Sequence, residues 1–307
     1  MMLTVTLNAA LDVTYLVDAL VPHSSHRVHT AYERAGGKGI NVARVLSGRG
    51  CPATVTGLAG GTTGRSIHDD LRSAGIRDEL VGIPGASRRT VTVVSGRDGD
   101  ATVFNPPGPR VDAAGWACFL DRFASLVRGA GTVVLSGSLP PGLPVDAYAQ
   151  LIRLSAEAGA ATVLDTSGPA LLAGLEADPT VVKPNATEIT EVTGEKNIEA
   201  AAHALRAGRS TAVVASCGPE GIHALTPQGA WRATPPRALS GNPTGAGDAC
   251  VAALAAGIRA GDPWPEILRE AVALSAATLP CARAGDVATD VYEEFRTAVG
   301  VERVPYS

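Results

Sequence analysis

A chain of 307 residues with 45% hydrophobic and 18% charged residues can close a full core without disulfide or metal staples, which excludes disorder as its main state. A formal charge of −4 and 4% aromatics exclude a polybasic nucleic-acid or membrane-surface protein and leave no stacking platform for a single strand. Five cysteines with no Cys-x-x-Cys fit a reducing compartment, and with no basic leader and no run of about 18 apolar residues the expected location is the cytoplasm.

Along the chain, short β-branched runs alternate with longer Ala/Leu/Arg stretches. Strands are predicted at 3–7, 53–58, 132–135, 161–164, 180–182 and 211–215. Helices are predicted near 39–48, 64–74, 112–128, 144–158, 197–208, 247–260, 265–282 and 289–298. The strands are near-continuous Val, Thr and Leu runs, which suits burial on both faces. Strand–helix alternation implies βαβ units, hence a mostly parallel sheet with right-handed crossovers. Two segments break the pattern. Residues 12–34 carry Val13-Thr14-Tyr15-Leu16-Val17 and His26-Arg27-Val28-His29-Thr30 without a helical period, and 89–104 reads as a hairpin turning near Asp98-Gly99. They predict antiparallel strands inserted into one α/β body and covering one end of its sheet. Val13, Tyr15 and Val17 would give that cover an apolar outer face on which a second copy could pair. His23, His26 and His29 do not converge in an extended segment, so no metal cluster is expected there.

Polar or glycine-rich punctuation follows each strand: Asn8, Ser136-Gly137-Ser138, Asp165-Thr166-Ser167-Gly168, Lys183-Pro184-Asn185 and Ser216-Cys217-Gly218. Open α/β sheets bind ligands outside the carboxyl ends of their strands. The strongest local signal is Asn242-Pro243-Thr244-Gly245-Ala246-Gly247-Asp248 ahead of a small-residue helix. Glycines let a ligand approach the backbone, and the helix start offers several N–H groups to an anion. A second negative group there makes sense if Asp248 accepts the proton of a hydroxyl attacking a phosphoryl group while the N–H groups stabilise the developing charge. An ordinary carboxylate, with a pKa of about 3.9, would already be ionised at neutral pH. Taken alone, an aspartate favoured by the helix dipole explains the residue equally well. A second glycine-rich helix start is Ala35-Gly36-Gly37-Lys38-Gly39-Ile40-Asn41-Val42-Ala43-Arg44, in a chain with three lysines against 23 arginines. Asn41 there is placed to bond sugar hydroxyls. The spacing fails the Walker A pattern, and Cys250 stands where a dinucleotide fingerprint needs its third glycine.

Gly36-Gly37-Lys38-Gly39-Ile40-Asn41-Val42-Ala43 with Gly245-Ala246-Gly247-Asp248 resembles the two signatures of the PfkB/ribokinase carbohydrate kinases. Thr6-Leu7-Asn8-Ala9-Ala10-Leu11-Asp12, Leu135-Ser136-Gly137-Ser138-Leu139-Pro140-Pro141-Gly142, Asp165-Thr166-Ser167-Gly168 and Lys183-Pro184-Asn185-Ala186-Thr187-Glu188 resemble the branch acting on phosphorylated ketohexoses, namely 1-phosphofructokinase, tagatose-6-phosphate kinase and the minor 6-phosphofructokinase. The likeness runs over nearly the whole chain. It implies a single ribokinase-like domain over 1–307, a three-layer α/β/α sandwich with a mostly parallel central sheet and a small β-sheet lid from about 12–34 and 88–105. It implies ATP as phosphoryl donor, Mg²⁺ and, in many relatives, a monovalent cation such as K⁺. Asp248 matches the catalytic base, and Gly245, Ala246 and Gly247 the anion hole. Asp12, Gly37, Lys38, Asn41 and Ser138 match sugar-side positions, and Arg88, or Arg89 if the register slips, an arginine that contacts the substrate phosphate. Lys183, Asn185, Ser216, Gly218, Gly221 and Thr244 match the nucleotide side, while Asn185 and Glu188 match an Asn-x-x-Glu motif that supports Mg²⁺ through water. The expected reaction moves a phosphoryl group from ATP to a primary hydroxyl of tagatose 6-phosphate, fructose 1-phosphate or fructose 6-phosphate. The alternatives are a kinase for an unphosphorylated sugar or nucleoside, and a non-catalytic sugar-phosphate or nucleotide sensor on the same fold. The expected partners are small molecules, with no nucleic acid and no membrane, and a possible homodimer through the lid.

Overall fold

A computed structural model describes residues 1–97 and 99–305. In chain order its strands are β1 (Met2–Thr6), β2 (Ala10–Val17), β3 (Thr30–Gly36), β4 (Ala53–Gly60), β5 (Arg77–Ile83), β6 (Arg88–Ser95) and β7 (Ala101–Phe104). There follow β8 (Thr132–Ser136), β9 (Ala161–Asp165), β10 (Val181–Val182), β11 (Ala212–Ser216), β12 (Ile222–Thr226), β13 (Gly229–Thr234) and β14 (Gly300–Val304). The helices are α1 (Lys38–Gly48), α2 (Gly61–Ser73), α3 (Ala113–Val127), α4 (Ala147–Glu157), α5 (Gly168–Leu175), α6 (Ala186–Thr193), α7 (Ile198–Arg206), α8 (Ala246–Ala260), α9 (Trp264–Thr278) and α10 (Thr289–Ala298).

The main sheet runs β14-β13-β12-β11-β10-β9-β8-β1-β4-β5. From β5 to β11 every pairing is parallel, and the last three pairings, out to β14, are antiparallel. Helices cover both faces, giving two cores. Val133 enters the core built with α3, α4 and α7, and its neighbour Val134 enters the one built with α1, α8 and α9. Successive strand side chains point to opposite faces, so a sheet buried on both sides needs apolar residues at consecutive positions. Each such valine contributes about 1.5–3 kcal/mol by leaving water. The architecture is the three-layer α/β/α sandwich with a mostly parallel central sheet that the resemblance implies.

The unforeseen elements are the edges and the shortest helices. β5 reads Arg-Asp-Glu-Leu-Val-Gly-Ile because an edge strand keeps solvent on one side, and β12–β14 are likewise half-polar. α5 and α6 span eight residues each, too few for a helical period to stand out. The helix predicted to 282 stops at Thr278, just ahead of Leu279 and Pro280, as the restriction before proline requires.

A second sheet runs β3-β2-β6-β7. Its hairpin β6–β7 is antiparallel as predicted, while the turn residue Asp98 lies outside the described residues. The sheet is not wholly antiparallel: β2 pairs β6 in parallel, because the stretch from α1 to β5 lies between them in the chain. The apolar face assigned to Val13, Tyr15 and Val17 is also corrected. Val13 and Val17 are 1% and 5% exposed, and α2 packs against β2 and β3. The exposed apolar side chains of this sheet are Tyr32, Val103 and Phe104. Among the described residues no helix is long and apolar enough to cross a membrane.

Candidate active site

The carboxyl ends of β1, β8 and β9 meet the amino ends of α1 and α8. Lys38 opens α1, and Asn41 follows one turn later. Asp248 lies in the first turn of α8, 6% exposed, and its Oδ2 accepts from Asn41 Nδ2 at 2.8 Å. Gly245 caps α8 at φ 93°, with room for a Cβ only 3.0 Å from Ala284 Cα, so glycine is required there. The Ala246 N–H already donates to Pro243 O at 3.2 Å. The next first-turn amides of α8 are those of Gly247 and Asp248, at the helix end where backbone N–H groups lack intrahelical acceptors. Burial pushes the Asp248 carboxyl up to about 7; Asp165 adds to the rise, while Lys38, Asn41 and Lys183 oppose it. The expectation of a carboxylate fully ionised at neutral pH is thus corrected by desolvation.

Behind this pair lies a charge cluster centred on the buried Asp165, the last residue of β9. Asp165 Oδ1 lies 3.3 Å from Lys183 Nζ and Oδ2 lies 3.3 Å from Lys38 Nζ. Ser136 Oγ donates to Oδ2 at 2.8 Å. Burial alone would raise Asp165, but the two lysines and Ser136 hold it below its ordinary range. Burial alone would lower Lys38, but Asp165, Asp248 and Glu188 hold it above its ordinary value. Lys183, 3% exposed, is raised against burial mainly by Asp165. Two cations are thereby fixed with their charge kept. In the sequence Asp165 stands only as post-strand punctuation with no assigned role; its position at a strand's carboxyl end is the signal that marks it.

On the other side, Asp12 of β2 faces the cleft shared with Asn41, Thr244 and Arg34. Burial pushes Asp12 up to about 6, against Arg88, the Thr90 hydroxyl, Arg34 and Arg44. Gly36 makes this placement possible, since a Cβ there would fall 1.9 Å from Asp12 Oδ2. Gly37 caps α1, its carbonyl accepting from Ile40 and Asn41. Arg88 bonds Asn8 O at 3.2 Å and Pro106 O at 3.5 Å, beside Asp12. Arg89 turns outward to pair with Glu33, whereas Arg88 stays on the Asp12 side. Asn8 Nδ2 holds the exposed Ser138 hydroxyl at 3.1 Å.

A cavity of about 730 Å³ opens beside the α8 tip, lined by Ser216, Gly218, Gly221, Ala246 and Gly247 with an apolar floor of Val272, Leu279 and Phe295. Thr244 stands instead on the Asp12 side of the turn. Asn185 and Glu188 form a reciprocal capping box on α6: Asn185 Oδ1 accepts from Glu188 N and Glu188 Oε2 from Asn185 N, both at 2.8 Å. The box fixes the Glu188 carboxylate and leaves Oε1 for another partner. Among the described residues no group of three or more His, Cys, Asp or Glu could hold a metal ion unaided. A Mg²⁺ carried mainly by nucleotide phosphates and supported by Glu188 fits this donor set.

Residues 4–290 match the family described as pfkB family carbohydrate kinase. A 1-phosphofructokinase of Xanthomonas campestris pv. campestris is 40% identical over 265 residues, covering 83% of each chain. A tagatose-6-phosphate kinase of Staphylococcus epidermidis is 31% identical over 312 residues, covering 99% of this chain and 100% of that one. Among solved structures, the phosphofructokinase-2 of Escherichia coli in complex with fructose-6-phosphate superposes with a TM-score of 0.88 at 27% identity. The same enzyme in complex with potassium superposes with 0.90 at 26%, and each covers 96% of this chain and 98% of its own.

Proposed function

The chain belongs to the pfkB family of carbohydrate kinases and is an ATP-dependent sugar-phosphate kinase, and from that premise we propose how its residues divide the work. The acceptor is a ketohexose monophosphate. Fructose 1-phosphate stands first, since the relative at 40% identity is a 1-phosphofructokinase, and tagatose 6-phosphate second. Both present a primary hydroxyl at one end and a phosphate at the other. The observation that carries the reading is the buried Asp248 carboxylate beside the first-turn amides of α8, facing Lys38.

Asp248 takes the proton as the hydroxyl oxygen bonds to the γ-phosphorus of ATP, and the bond to the ADP oxygen breaks. The amides of Gly247 and Asp248, with Gly245 allowing close approach, stabilise the transferring group. Lys38 neutralises its charge, held on line by Asp165. Asp12 accepts hydrogen bonds from sugar hydroxyls, Ser138 borders them, and Arg88 receives the acceptor's own phosphate. Ser216, Gly218 and Gly221 line the nucleotide cavity, with Lys183 and Asn185 beneath the phosphates. Mg²⁺, when bound, neutralises phosphate charge, and Glu188 supports it through water. The carbonyls of Cys281 and Ala282, which accept from Asn242 Nδ2 at 3.5 and 3.4 Å, offer lone pairs to K⁺. Replacing K⁺ by tetramethylammonium then lowers kcat.

The second sheet, over about 12–34 and 88–105, acts as a lid on a single domain and excludes water, which competes with the sugar hydroxyl. Its exposed Tyr32, Val103 and Phe104 suit pairing with a second copy. The enzyme works in the cytoplasm, where ATP and sugar phosphates are its partners. An acceptor panel of ribose, adenosine, fructose 1-phosphate, fructose 6-phosphate and tagatose 6-phosphate, followed by ADP release, tests the reading. Turnover with the phosphorylated ketohexoses is expected, and turnover with neutral acceptors alone overturns it.

A further inference from the structure

A cavity of about 440 Å³ lies between the second half of α1, the end of α2 and the turn into α10, within the range of about 300–1,000 Å³ usual for small-molecule sites. Its polar wall is Arg34, Ser47, Arg44, Arg49, Asp286 and Thr289. None of Asp12, Lys38, Asn41, Asp248 or the nucleotide-side glycines lines it. Three guanidinium groups thus face one lining carboxylate, in a chain whose formal charge is −4. Arg34 bonds Asp286 at 2.7 Å, and Arg44 pairs with Asp70 behind the wall. Arg49 lies 3.8 Å over the Tyr292 ring. Arg44 is 8% exposed, and its buried Nε has no acceptor. Burial and then the neighbouring Arg34 pull the Arg44 pKa down, against Asp70 and Asp286. The ten-residue α10 begins at Thr289, adding first-turn amides at the same wall.

Excess positive charge, a buried arginine and a helix start converge on one cavity outside the transfer centre. We propose that this cavity binds a compact dianionic oxyanion, the phosphate group of a small metabolite, between Arg34, Arg44 and Arg49. The anion takes Arg49 directly and competes with Asp286 for Arg34, relieving the charge excess around Arg44. Arg34 also bonds Ala284 O at 3.3 Å, and Ala284 packs against Gly245, so the two sites share a wall.

Inorganic phosphate is titrated calorimetrically, at fixed ionic strength, into the full chain saturated with ADP and acceptor sugar phosphate, so that the transfer centre is filled. One saturable phosphate per chain is expected. Binding weakens at least tenfold in Arg49→Gln and in Ser47→Asp, which sets a carboxylate in the wall. It is retained in the neutral isostere Ser47→Asn, which separates charge from any folding defect, and in Arg88→Ala. Three results overturn the proposal: no saturable heat, equal affinity in wild type and Ser47→Asp, or loss in Arg88→Ala alone, which would assign the ion to the acceptor's phosphate position.

Discussion

Asn41 Nδ2 and Asp248 Oδ2 are joined by a 2.8 Å hydrogen bond that ties the first turn of α1 to the first turn of α8, with both side chains buried. The amide donates to the charged form, so it favours ionisation of a carboxylate that burial disfavours. It also points one carboxylate oxygen at α1 and leaves the other outside that bond. Asn41→Ala removes the donor. The Asp248 pKa then rises further, and the acid limb of kcat/KM moves to higher pH. A pH–rate profile of the two proteins checks the direction; an unmoved limb would detach Asn41 from the base.

Asp248 itself carries a paired expectation. In wild type, kcat/KM rises with pH through a limb near 7 and levels above it, because the base must be ionised in the free enzyme. Asp248→Asn lowers kcat by roughly 10²–10⁴, the usual contribution of a positioned base. Nucleotide affinity, measured by calorimetry, stays measurable. The same substitution stabilises the fold at alkaline pH. The folded state raises this carboxyl from 3.8 to about 7, so it binds the proton more tightly than the unfolded chain, and stability declines as pH rises across that interval. The ceiling of the gain in the Asp248→Asn variant above pH 8 is on the order of 4 kcal/mol, and it vanishes near pH 4. Thermal melts at the two pH values read the difference.

Gly36→Ala tests the seat of Asp12. The added Cβ would lie 1.9 Å from Asp12 Oδ2, so the carboxylate must leave its place. The acceptor KM rises at least tenfold while the KM for ATP holds within about twofold, since Gly36 is absent from the wall of the nucleotide cavity. Equal loss on both substrates would point to a collapse of the fold instead.

Neighbouring arginines on β6 make a matched pair. Arg88→Ala raises the KM for a phosphorylated acceptor by roughly ten- to a hundredfold, the worth of a charged hydrogen bond. Arg89→Ala leaves it unchanged, because Arg89 is half-exposed and paired with Glu33 on the opposite side of the strand. Steady-state kinetics with fructose 1-phosphate and tagatose 6-phosphate separate the two. A response in Arg89 alone would shift the phosphate position by one residue.

What could be read from the sequence follows the physics of each feature. Val133-Val134 announced a strand because both faces are buried, whereas β5 and β14 carry the charges of half-solvated edges and gave no such pattern. Lys38, Asn41 and Asp248 stood out through glycines at helix starts, a local signal. Gly36 and Asp165 act through contacts with residues 18 or more positions away, at Asp12, Lys38, Ser136 and Lys183. No local pattern encodes such contacts. The raised pKa of Asp248 has the same origin: its cause is burial between two helices that meet only in the fold.

Loss of Asp165 strains the fold as well as the site. The residue is 1% exposed and holds Lys38 and Lys183 each at 3.3 Å. Asp165→Ala leaves Lys183 buried without its counter-charge, which costs roughly 3–5 kcal/mol. Asp165→Asn keeps an acceptor for Ser136 but not the charge, and so separates the two contributions. In that variant burial, no longer opposed by Asp165, drives the Lys183 pKa below its unfolded value. The unfolded chain then binds the proton more tightly, and stability rises with pH, opposite in sign to the Asp248 effect. Urea unfolding of the three proteins at pH 6 and pH 9 reads both the size and the slope. A flat profile in Asp165→Asn would mean that Lys183 keeps its charge through Glu188 instead.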